Sequence, residues 1–240
     1  MPVAERRRRA TPRIIRLAAA LARLVLGSIA RVSIEGRHNL PRSGPLIVVA
    51  NHLSNADPPL VVGWLTPALD TPMHILAKAA LFVGPLGAIL RSQGVTPVRA
   101  GGSDIGAYRA AKAVLDRGEV LCIFPEGTRS RDGRLGQPKP GVALLAIRAG
   151  VPIVPVGISG SDRFLVPGRA LPRLGARIVL RVGRPFTITP DPALSRRGAV
   201  GQASEEIMRR LAALVDERHR GDYQPLDEAA SALASMGTAE

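Results

Sequence analysis

Short runs of β-branched and aliphatic residues recur along this chain, and the segments between them carry helical spacing. That alternation limits the folds open to it more than any other feature. The apolar runs lie at Val32 to Glu35, Leu46 to Ala50, Met73 to Ala77, Val120 to Phe124, Ile153 to Gly157 and Arg177 to Val182. A helix is predicted from Asp57, a good N-cap type followed by Pro58, and others over Ser103 to Arg117, Val142 to Ala149 and Ser204 to His219. The last of these has Ile207, Met208, Leu211, Leu214 and Val215 on one face. Strands alternating with helices build a mostly parallel sheet covered on both faces. The expected fold class is therefore α/β, a single domain with a mostly parallel central sheet flanked by helices. With 240 residues, 46% of them hydrophobic, the chain can bury one such core, and no repeat or interior linker divides it.

Charge is unevenly placed. The formal net charge is +14, and residues 1 to 31 hold eight arginines against the single acid Glu5, whereas residues 221 to 240 hold four acids and no Lys or Arg. Such a balance points to anionic partners without choosing among nucleic acid, lipid headgroups, phosphorylated substrates and acidic carrier proteins. From Arg9 to Arg31 the spacing is helical, with Arg9, Arg13, Arg16 and Arg23 along one stripe and Ile, Leu, Val and Ala on the remaining surface. Arg16 and Arg23 interrupt the apolar run before it reaches the roughly 18 residues that span a bilayer. An amphipathic helix at the membrane interface is expected, and a helix packed on the domain and a signal peptide remain the alternatives. The expected divisions are 1–30 for this helix, 31–220 for the main domain and 221–240 for a flexible acidic tail. One cysteine, Cys122, excludes an intramolecular disulfide and fits a reducing cytoplasm.

Two segments concentrate chemistry, each directly after an apolar strand, where α/β proteins place their sites. The first is Asn51-His52-Leu53-Ser54-Asn55-Ala56-Asp57. On a continuous helix, His52 and Asp57 would point about 140° apart, so they meet only if the chain turns between them. A turn is expected, allowing Asp57 to fix the imidazole tautomer while the other ring nitrogen takes a proton. The competing reading makes Asp57 a helix cap and His52 a strand-end filler. The second segment is Phe124-Pro125-Glu126-Gly127-Thr128-Arg129-Ser130, followed by Arg131, Arg134 and Lys139. Glycine lets backbone approach a ligand and arginine matches a phosphate bidentately, although an exposed turn with solvated charges would look the same.

Taken together, these segments resemble the glycerolipid acyltransferase family that includes the bacterial 1-acyl-glycerol-3-phosphate acyltransferases. Asn51 to Asp57 matches its Asn-His-x-Ser-x-x-Asp block, and Phe124 to Ser130 matches its Phe-Pro-Glu-Gly-Thr-Arg-Ser block without change. Gly94 to Arg99 resembles the second block, with Arg99 lacking a second basic neighbour, and Val151 to Val156 resembles the fourth. The four stand in family order across roughly residues 13 to 190, with Lys78 and the Lys139-Pro140-Gly141 run at further family positions.

The resemblance implies direct acyl transfer from a thioester, acyl-CoA or acyl carrier protein, to the sn-2 hydroxyl of 1-acyl-glycerol-3-phosphate, giving phosphatidic acid. His52 would be the base and Asp57 its orienting partner. Glu126, Gly127, Thr128, Arg129, Arg99 and Lys78 would bind the acceptor. No Gly-x-Ser-x-Gly elbow and no metal motif occurs, so neither an acyl-enzyme nor a cofactor is expected. The expected location is the cytoplasmic face of an anionic membrane, peripheral or monotopic. Other acceptors, such as glycerol-3-phosphate or another lysolipid, stay open. A catalytically lost membrane binder is opposed by the intact His52 and Asp57 pair. A basic nucleic-acid-binding protein is disfavoured by 3% aromatics and by basic residues placed on an aliphatic helix.

Overall fold

The computed structural model describes residues 11–78, 83–84, 87, 95–98, 104–166 and 171–226. Helix α1 (Arg13–Ile29) leads into strand β1 (Ala30–Glu35), followed by β2 (Leu46–Ala50), α2 (Asp57–Leu65), β3 (Met73–Lys78) and β4 (Val95–Val98). Then come α3 (Asp104–Asp116), β5 (Val120–Ile123), α4 (Pro140–Ala149), β6 (Ile153–Ser159), the short α5 (Ser161–Phe164), β7 (Ala176–Val182) and α6 (Arg196–Ala212). The strands form one sheet in the order β1-β7-β6-β2-β5-β3-β4. Strands β2 to β6 run parallel; β7 is antiparallel to β6, and β1 is parallel to β7.

Strand β2 sits near the middle because every one of its residues is apolar and buried. Its side chains alternate between two cores, as the two-residue period of a strand requires. Leu46, Val48 and Ala50 face the core built with α2, and Ile47 and Val49 face the core built with α4 and α6. The order also places β5 and β6 on either side of β2, so the loops after β2 and β5 leave the same edge of the sheet side by side.

Helix α2 is apolar around most of its circumference because the sheet covers one side and α1 the other. Close approach to α1 falls at Gly63, where a Cβ would stand 3.3 Å from Arg23 N and 3.6 Å from Ala19 O. Ile15, Ala19 and Ala22 of α1 are buried in this contact. The helix thus has three faces, where the sequence pattern had suggested two: a small buried face, a stripe with Arg16 and Arg23, and an outer face of Ile14, Leu17, Leu21, Leu24 and Val25, all exposed. Arg9 lies outside the described residues. Among them, no helix is long and apolar enough to cross a membrane.

The carboxyl-terminal region departs from expectation. Helix α6 starts at Arg196, where Ser195 caps it by accepting from Gly198 N, and ends at Ala212, so Leu214 and Val215 follow the helix. Its first turns bury only Ala199 and Ala203, residues too small to announce an apolar face. Beyond Gly221, residues 221–226 do not behave as a free tail, because Tyr223 is only 6% exposed and packs in the second core. Residues 227–240 lie outside the described part.

Candidate active site

Where β2 ends, a side chain takes over from the sheet. Asn51, fully buried, pairs with the backbone of Ile158: its Nδ2 donates to Ile158 O at 2.9 Å and its Oδ1 accepts from Ile158 N at 2.7 Å. The amide thereby extends the contact with β6 while the main chain is released to turn through Ser54–Ala56.

That turn brings His52 and Asp57 together. His52 Nδ1 lies 2.9 Å from Asp57 Oδ2, and the same oxygen accepts from Leu53 N at 2.6 Å and from Ser54 N at 2.7 Å. Asp57 is 0% exposed and is the first residue of α2, after Ala56 at the N-cap position. Its carboxylate reaches backward over the turn, making no side-chain cap of α2. A carboxylate only accepts, so Nδ1 carries the imidazole proton and Nε2 presents its lone pair. No described residue bonds Nε2. The ring is held by stacking on Phe124, centroids 4.3 Å apart.

The loop after β5 is tied to the same histidine at its backbone. Ser130 N donates to His52 O at 2.7 Å, and His52 N donates to Glu126 Oε1 at 3.1 Å. The other carboxylate oxygen, Glu126 Oε2, accepts from Gly136 N at 3.0 Å. Glu126 is buried, and burial pushes its pKa above the usual carboxylate range while the Gly136 and His52 N–H groups oppose the rise. Each of its oxygens accepts from backbone, which makes it a joint between the two loops.

Gly127 has φ +67°, and a Cβ there would stand 2.6 Å from Lys139 Cε. The space a side chain would fill is occupied by the lysine stem, so the glycine admits Lys139. Thr128 and Arg129 are exposed, as are Arg131 and Arg134. Arg129 makes no ion pair with a described residue. Lys78 ends β3 at the carboxyl edge of the sheet, but its side chain is outside what is described, as is Arg99 altogether. The sequence alone assigns no role to Phe124, Asn51 or Gly136. The first two stood inside the matched blocks, and Gly136 carried no local signal, since its importance is a backbone N–H.

Cys122 is fully buried in β5, and burial pushes its thiol up to about 12. It offers no thiolate for an acyl intermediate.

An acyltransferase family model matches residues 31–159. The chain is 30% identical over 201 residues to human 1-acyl-sn-glycerol-3-phosphate acyltransferase alpha, covering 80% of this chain and 68% of that one. It is 32% identical over 142 residues to the chloroplast 1-acyl-sn-glycerol-3-phosphate acyltransferase LPAT1 of Arabidopsis thaliana. That match covers 58% of this chain and 38% of the relative, so the chain spans about two fifths of the plant protein's length. A crystal structure of the 1-acyl-sn-glycerophosphate acyltransferase PlsC from Thermotoga maritima is similar with a TM-score of 0.64 and 26% identity, covering 82% of this chain and 78% of that one.

Proposed function

This chain belongs to the acyltransferase family, and from that premise we propose that it moves a fatty acyl group from a thioester to the sn-2 hydroxyl of 1-acyl-glycerol-3-phosphate, forming phosphatidic acid. The observation that carries the reading is the His52 and Asp57 pair, 2.9 Å apart, with Nε2 bonded by no described residue and a loop of exposed arginines beside it. In this reaction His52 Nε2 takes the proton of the acceptor hydroxyl, whose oxygen attacks the thioester carbonyl. The tetrahedral intermediate expels a thiolate, which takes the proton from the imidazolium, so an ester and a free thiol form as the C–S bond breaks. Asp57 stabilises the transient imidazolium and holds the productive tautomer. Arg129 holds the acceptor phosphate as a planar fork, with Arg131, Arg134 and Lys139 adding positive field. Acyl-CoA and acyl carrier protein both meet the chemical requirement for donor, and the reaction needs no metal or cofactor.

Work at an anionic membrane surface on the cytoplasmic side fits the outer face of α1. Five exposed aliphatic side chains beside Arg13, Arg16 and Arg23 suit an interface where apolar groups enter the acyl boundary and cations meet headgroups. The test is a panel in which the purified protein meets 1-acyl-glycerol-3-phosphate, 1-acylglycerol, glycerol-3-phosphate and other lysolipids with each thioester donor. Mass spectrometry should find phosphatidic acid as the main product. Acylation of glycerol-3-phosphate alone would replace the acceptor, and absence of transfer to every acceptor would remove the reading.

A further inference from the structure

After α6 the chain returns along the carboxyl edge of the sheet and is fastened there. Asp216 N donates to Ser159 Oγ at the end of β6 at 3.1 Å, and Arg181 of β7 donates to Asp216 at 3.0 Å and to Leu214 O at 3.3 Å. Arg218 adds a two-pronged pair with Asp162 of α5, at 3.0 and 3.2 Å. Fixed on that side, the segment grips the loop that follows Ser130. His219 Nδ1 donates to Gly133 O, Leu135 N donates to His219 O at 2.8 Å, and Tyr223 OH donates to Gly136 O at 3.4 Å. Gly221, at φ +60°, makes the approach possible, since a Cβ there would stand 2.6 Å from Leu135 O. His219 is 1% exposed, and Leu135 and Tyr223 are buried with it.

The grip does not stop at the loop. Gly136, held at its carbonyl by Tyr223, uses its N–H on Glu126, and Glu126 receives the N–H of His52. We propose that His219 and Tyr223 are positioning residues for acceptor recognition: they set the loop bearing Arg131 and Arg134, and the adjoining Arg129, against the catalytic histidine. Both lie far downstream of the four sequence blocks, the last of which ends at Val156. The inference rests on the reading that these arginines meet the acceptor phosphate. It adds that the carboxyl-terminal segment is part of the acceptor site's framework.

The experiment compares full-length wild type with His219→Leu, His219→Asn and Tyr223→Phe. Asparagine keeps a donor near the Nδ1 position and leucine does not. Hydrogen–deuterium exchange over residues 130–139 should rise in His219→Leu, return toward wild type in His219→Asn, and rise modestly in Tyr223→Phe. In parallel, KM for 1-acyl-glycerol-3-phosphate should increase roughly 2- to 10-fold in His219→Leu, the equivalent of one net hydrogen bond. KM for 1-acylglycerol, which lacks the phosphate, and KM for the thioester should stay within twofold. If His219→Leu does not fold, Tyr223→Phe carries the same comparison. Unchanged exchange in the loop, or equal effects on both acceptors, overturns the proposal. A wild-type enzyme inactive on every acceptor overturns the functional reading instead, and the exchange measurement still decides whether the segment holds the loop.

Discussion

Asp57 Oδ2 accepts from three donors at once, the Nδ1 of His52 and the backbone N–H groups of Leu53 and Ser54, so one buried oxygen sets both the ring and the turn that presents it. His52→Ala should therefore lower turnover by about 10²–10⁴-fold with little change in melting, the usual contribution of a positioned base. Asp57→Asn can keep an oxygen in the same place, with its amide nitrogen at the Oδ1 position that has no partner among the described residues. It should melt below wild type, because the buried amide N–H groups there lack an acceptor, and lose less turnover than His52→Ala. Asp57→Ala orphans two buried N–H groups and should destabilise by about 1–3 kcal/mol for each. Near wild-type kcat in folded His52→Ala would show that another group is the base.

Glu126 gives a pH signature. Its folded-state pKa is raised by burial, so the native protein binds a proton that the unfolded chain releases, and this contribution to stability is present below the unfolded pKa and lost as pH rises through the folded one. Glu126→Gln has no such titration. Denaturation from acid to neutral pH should show the variant's stability improving relative to wild type as pH rises, while its kcat is lower at all pH values because one of the two N–H groups loses its acceptor. A constant stability difference would remove the titration argument.

Arg129 is exposed and has no ion pair with a described residue. Arg129→Ala should raise acceptor KM more than it lowers kcat, because a phosphate is held in ground and transition states alike. Arg129→Lys should recover only part of the loss, since a point charge replaces a planar fork. Steady-state kinetics with an unaltered acceptor KM in Arg129→Ala would count against phosphate binding there.

Cys122 should be inert. With its thiol buried and pushed up to about 12, native protein should resist alkylation that proceeds readily in denaturant. Cys122→Ala should keep kcat within about twofold while losing about 1 kcal/mol of stability, a typical cost of a small core change. Loss of turnover in a folded Cys122→Ala protein would reopen an acyl-cysteine route.

For membrane attachment, the test is a substitution on the outer face of α1. Removing α1 would strip cover from α2 at Gly63, so truncation confounds binding with folding. Leu17→Glu, Leu21→Glu and Leu24→Glu together alter only the outer face, where these side chains are 70%, 58% and 70% exposed. Each leucine buried in lipid is worth about 1.5–3 kcal/mol and each nearby arginine about 1 kcal/mol. The triple variant should lose flotation with anionic vesicles while melting as wild type does. Salt should weaken wild-type binding without abolishing it, as the aliphatic part is unscreened. Retained flotation of the triple variant would place the membrane contact elsewhere.

Leu46–Ala50 shows how much was legible along the chain. Its unbroken apolar run predicted a buried strand, and the structure places it at those bounds between β5 and β6. The requirement for a turn between His52 and Asp57 was legible too, because helix geometry alone would have separated them. The start of α6 was not, since alanines fill its first buried positions.

What the sequence by itself determined was local: the order of strands and helices, and the residue types that follow β2 and β5. Hydrophobic period and capping chemistry act over a few residues, so they can be read in one dimension. Only the tertiary structure decided that β2 and β5 are neighbours, that Glu126 spends both oxygens on Gly136 and His52, that α1 divides its apolar surface between α2 and the exterior, and that Tyr223 closes the core. Each of those depends on which distant backbone group or side chain arrives at a given point. Strand register and packing set that meeting, and no spacing along the chain encodes it.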